Sequence, residues 1–123
     1  MIEERHTIAP HQMRRVIVES PYAGDVKANL AYARAACHDC LMRGESPYAS
    51  HLLLTQPGIL DDTIPLERAH GINAGRAWMN GAHAVVVYQD RGISKGMEAG
   101  ITSARFRGLH VEYRSLKGIL DLS

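Results

Sequence analysis

Chemistry-bearing side chains crowd into one short stretch: Asp90, Arg91, Gly92, Ser94, Gly96, Met97 and Glu98. A carboxylate such as Glu98, close to a hydroxyl and to bare backbone, could act as a nucleophile or bind the hydroxyls of a sugar. A glutamate near a helix start also complements the helix dipole with no further role. Gly92, Gly96 and Gly100 recur every four residues. They match neither a dinucleotide fingerprint nor a phosphate-binding Walker loop. They serve either as packing glycines or as points where a ligand meets backbone. A second set runs Ser20, Pro21, Tyr22, Ala23, Gly24 and Asp25. Tyr22 is the aromatic that could stack on a base. His51 stands alone further on, suited equally to structure or to ligand contact.

Other constellations fall away. Cys37-His38-Asp39-Cys40 has only one CxxC, whereas a structural zinc needs four ligands. The pair sits late in a helix, not at its start where thiols are activated, so it reads as core. No G-x-S-x-G elbow is present, which argues against a serine hydrolase. Nothing calls for a cofactor or a metal.

The elements that would position these residues follow from apolar patterning. Val16-Ile17-Val18 before Glu19-Ser20-Pro21 reads as a buried strand. Asp25 suits a helix N-cap. After it, Val26, Leu30, Ala33, Cys37, Cys40 and Leu41 form one helical stripe, with Gly44 as the stop. A weaker strand is expected over Ser46 to Leu53, and a helix from Pro65 to about Asn80. Ala84-Val85-Val86-Val87-Tyr88 is apolar throughout, as in a strand covered on both faces. Ser94 caps a helix with Met97, Ile101 and Ala104 on one side, and a last strand spans Leu109 to Tyr113.

The order β-α-β-α-β-α-β predicts one three-layer α/β domain. Its parallel sheet of four or five strands would be flavodoxin-like or Rossmann-like, in the order 2-1-3-4. The switch point between strands one and three is where such sheets bind ligands. There the helix starts at Asp25 and Ser94 would offer N–H groups to an anion. The expected site is Ser20, Pro21, Tyr22, Gly24, Asp25, His51, Gly92, Ser94, Gly96 and Met97, with Glu98 at its centre. The domain is expected over residues 14–123, after a flexible arm over 1–13.

Composition bounds the rest. The chain has 123 residues, 46% hydrophobic and 22% charged, with a formal net charge of +1. That is ordinary for one globular domain and wrong for disorder. The charge argues against a nucleic-acid partner. No apolar run approaches a membrane span and the start has no signal-like core, so a cytoplasmic location and free thiols are expected.

Three motifs, in order, resemble the nucleoside 2-deoxyribosyltransferase-like superfamily, which includes nucleotide N-hydrolases and small phage-borne relatives. Val18-Glu19-Ser20-Pro21-Tyr22-Ala23-Gly24 is similar to its S-G-P-Y-[ST]-G opening. Ala77-Trp78-Met79 leads into Ala82-His83-Ala84-Val85-Val86-Val87 like its tryptophan before a central strand. Gly96-Met97-Glu98-Ala99-Gly100 is similar to its G-[MY]-E-L-G segment. The resemblance implies cleavage or transfer of an N-glycosidic bond. Glu98 would be the nucleophile, by the two-step logic of retaining glycoside chemistry. A leaving base needs a proton, and Asp90 is the best placed acid. The resemblance further implies a nucleoside or nucleotide substrate and a homodimer or larger assembly. The chain departs from the pattern near Asn73 and Gly75, where the superfamily carries an aspartate, and at His83-Ala84. That leaves a second class of function open: non-catalytic binding or sequestering of a nucleotide or an ADP-ribose-like ligand.

Overall fold

The computed structural model of the protein describes residues 8–116. The first seven residues of the expected arm and the tail from 117 onward lie outside the described residues. What is described of the arm contains a short 3-10 turn, Pro10–Gln12.

The sheet has four strands: β1 (Arg14–Glu19), β2 (Glu45–Tyr48), β3 (Ala84–Tyr88) and β4 (His110–Arg114). They are all parallel, in the order β2-β1-β3-β4. Between them lie α1 (Val26–Met42), the single turn α2 (Ser50–Leu53), α3 (Pro65–Ala77) and α4 (Lys95–Phe106). Every residue of β3 is buried. This is why its sequence is apolar without alternation: a central parallel strand has no solvent face. Successive side chains of β1 go to opposite faces. Val16 and Val18 join Tyr32, Ala36 and Cys40 of α1 on one side. Ile17 joins Val85, Val87 and the Met97, Ile101 and Ala104 stripe of α4 on the other. The result is a three-layer α/β domain of the expected strand order.

Two expectations about elements change. β2 ends at Tyr48, and Ser50–Leu53 turns helical instead of continuing the strand. No residue of that tetrapeptide is β-branched, and the Thr55 hydroxyl donates back to the His51 carbonyl, closing the turn. Pro47 remains in β2, tolerated because β2 is an edge strand. The buried side of α1 is Asn29, Tyr32, Ala33, Ala36, Asp39 and Cys40, while Val26 and Leu41 are exposed. The stripe is rotated because the helix buries polar groups that have partners. Asn29 holds the loop after β1, and Asp39 accepts from the Tyr88 hydroxyl at 2.7 Å.

Candidate functional site

A cavity of about 520 Å³ opens where β1, α2, α3 and the start of α4 meet. It lies at the carboxyl ends of the strands, beside the switch between β1 and β3.

Glu19, the last residue of β1, is its most unusual group. It shares the Ile17 face of the strand and so points toward α4. Its carboxyl group makes no hydrogen bond or ion pair among the described residues. Burial pushes it up to about 7 from an ordinary 4.5, against the pull of the Arg76 guanidinium. Desolvation penalises the charged form, and here no donor compensates.

Ser20 and His51 form a pair beside it, with 2.8 Å between the serine Oγ and the histidine Nε2. Burial pushes the imidazole down to about 4, so it is neutral at pH 7. The Tyr22 ring stands edge-on to His51 at 6.3 Å between centroids. This loop is fixed from behind. The Asn29 amide donates to the carbonyls of Tyr22 and Ala23, each at 3.0 Å, and Arg91 Nε donates to Asn29 Oδ1 at 2.8 Å.

The opposite wall is the start of α4. Ser94 caps it by accepting from Met97 N at 3.2 Å, and Ser94, Lys95 and Gly96 line the cavity. Met97 also lines it, though its side chain belongs to the core. Arg76 and Lys95 form no ion pair among the described residues, whereas Arg68 sits 3.7 Å from Asp62. A second, shallower cavity of about 490 Å³ shares Tyr22, Thr55, Leu60, Asp62 and Glu67 with the first. Among the described residues no cluster of His, Cys, Asp or Glu could hold a metal. No described helix is long and apolar enough to cross a membrane.

Of the expected site residues, the structure gathers Ser20, Tyr22, His51, Ser94, Gly96 and Met97 at one cavity. It leaves others out. Pro21 is buried behind the loop and Gly24 is exposed. Asp25 spends its carboxylate capping α1 through Ala28 N. Gly92 forms an exposed turn at φ 85°. Glu98 is exposed and does not line the cavity. One residue past Met97, it falls on the flank of α4 away from Gly96 and Ala99, which do line it. Asp90 is also off the cavity. Its carboxylate accepts from Tyr32 at 2.6 Å, from Leu116 N at 2.7 Å and from the Ser115 hydroxyl. Desolvation works to raise it, but those donors outweigh it and hold the group below the usual carboxylate range. It stays ionised and is a poor proton donor.

The motifs include Glu19 without giving it a role, and they do not reach Arg76 or Lys95. The signal for Glu19 was parity. Ile17 and Glu19 share a face, and a parallel strand flanked by helices offers that face no water.

No curated protein and no solved structure matches the chain. A family described as a domain of unknown function, DUF7768, matches residues 14–114. That span runs from the first residue of β1 to the last of β4, and the chain is a member of the DUF7768 family.

Proposed function

We propose that the cavity binds a nucleoside or nucleotide and that the chain cleaves its N-glycosidic bond, with Glu19 as the proton donor. The observation that carries this is the lone carboxyl in the cavity, pushed up to about 7. A buried carboxyl that accepts no hydrogen bond among the described residues costs stability, and that cost makes sense where proton transfer is the task. Near neutrality such a group is present in both forms, which is what general acid–base catalysis needs.

The step balances simply. The C1′–N bond breaks, the base departs with the electron pair, and Glu19 gives that nitrogen its proton. Water forms the new C1′–O bond and returns a proton to the Glu19 carboxylate. Tyr22 offers a ring face to the base. The Ser20–His51 pair offers hydrogen bonds to sugar hydroxyls. Arg76 and Lys95, which form no ion pair among the described residues, suit an anionic group on the ligand.

The placement of Glu98 outside the cavity favours a second reading, a non-catalytic binder of the same ligand class. Both are tested together by incubating the protein with a panel of nucleosides and 5′-nucleotides and following free base by chromatography. Release abolished in Glu19→Gln but retained in Glu98→Gln is the expected result. Tight binding with every ligand recovered intact would leave the binder. Neither binding nor release across the panel would remove both.

A further inference from the structure

We propose that Gly100 is the positioning residue for the cavity's carboxyl group: the volume left by its missing side chain is the seat in which the Glu19 carboxylate lies. This rests on the reading of Glu19 as the proton donor and adds what holds it in place.

Gly100 is buried on the inner side of α4, between Met97 and Ile101. A Cβ built there would overlap Glu19 Oε2, and the three nearest atoms to it are all from the Glu19 carboxyl group. The backbone does not require glycine at this position, because its φ is not positive. Glycine in a helix interior is unfavourable for the helix itself. Its gain is therefore spatial. The carboxyl lies against the helix in the cavity wall, and outside that seat it would meet more water.

The charged and titratable groups that share the cavity show what eviction would do. They are Tyr22 in the loop after β1, His51 on α2, Glu67, Arg68 and Arg76 on α3, Lys95 on α4, and Asp62 in the loop before α3. A methyl group at position 100 meets the far end of a flexible side chain, so the fold can yield by rotating Glu19 outward. There it gains water and escapes the burial that opposes the pull of Arg76, and both changes favour the charged form. A glycine needed only for close helix–sheet packing would behave differently. Its replacement would strain the backbone and leave the ionisation of Glu19 where it was.

The test is a carboxyl ¹³C NMR titration of the full chain, with Glu19→Gln used to assign the resonance. The wild-type midpoint is expected near 7, where burial pushes the group. In Gly100→Ala it falls by at least one unit toward 4.5 while Tm holds or rises. A Gly100→Ala protein with an unmoved Glu19 midpoint overturns the proposal. If Gly100→Ala does not fold, the double variant Glu19→Ala/Gly100→Ala decides. Folding of the double variant supports the seat, and failure of both overturns it. Where base release is measurable, Gly100→Ala lowers kcat about tenfold or more, shifts the acid limb of the pH profile and keeps KM. The titration needs no substrate. A moved midpoint in a protein that releases no base keeps the seat and removes only the glycosidic reading.

Discussion

The two faces of the sheet treat buried charge in opposite ways. On the α1 face, Arg114 lies between Glu45 and Glu112, each accepting at 2.7 Å, and Arg14 reaches the same two carboxylates at 3.3 Å. Tyr88 joins by donating to Asp39, whose other partner is Arg43 at 2.9 Å. On the α4 face there is Glu19, largely buried and accepting no hydrogen bond among the described residues. Both faces carry a buried apolar cluster, so burial alone does not separate them. What separates them is whether donors surround the charge. A network in which every carboxylate has donors, with Arg114 Nε alone among its buried side-chain atoms left without a partner, fixes one arrangement of the sheet. An unsatisfied carboxyl is free to exchange a proton and costs the fold for as long as it is ionised.

The comparison breaks most sharply at Arg114. Its side chain and that of Glu45 are each only 6% exposed. Arg114→Leu strands a buried glutamate, and an unfolding curve in urea is expected to show a loss of about 3–5 kcal/mol. A loss below about 1 kcal/mol would mean the network is not a fixed unit of the structure.

Glu19→Gln is expected to act in the other direction. The group's folded value lies above its unfolded one, so its contribution is intact below about 4.5 and is lost as pH rises through about 7. A shift of that size is worth up to about 3 kcal/mol, so the variant should be more stable than wild type at pH 8 by that order and indistinguishable at pH 4. His51 runs oppositely. Its folded value is depressed to about 4, so its contribution is present above 6.5 and lost as pH falls toward 4. Between about 4.5 and 6.5 the two slopes offset one another in wild type. Glu19→Gln removes one of them, so the difference in stability between variant and wild type should grow across that window. A constant difference would show that Glu19 titrates normally.

The smallest effect belongs to Glu98. Exposed and off the cavity, its replacement by glutamine should change stability by less than about 0.5 kcal/mol and leave ligand affinity unchanged. A large loss of binding would return it to the site.

Much of the fold could be read from the sequence because its strongest signals are local. Ala84 to Tyr88 is a strand in every respect, and Asp25 and Ser94 cap the helices as their types suggest. The second strand, expected to Leu53, ends at Tyr48, because apolar patterning does not register the local Thr55 bond to the His51 carbonyl that turns the chain. The site was half legible. Its rim residues Ser20, Tyr22, His51, Ser94 and Gly96 follow from topology alone. Its central carboxyl does not. A one-residue phase on α4 puts Glu98 outside, and sequence periodicity does not resolve a helix to that angle. Glu19 was hidden for a different reason. Whether a strand-end glutamate meets water or a helix depends on which residue of that helix lies over it, 81 positions further along the chain.

That dependence carries a consequence for variation. Positions 19 and 100 draw on one pocket of space, so they are not free to diversify independently. In any chain built on this frame, carbon added at one must be withdrawn from the other, and a bulky residue at 100 should coincide with a short one at 19. A collection of family members in which large side chains occur together at both positions would contradict the geometry. Where the trade is found, it would mark two alternative ways of delivering a functional group to one place, from the strand or from the helix.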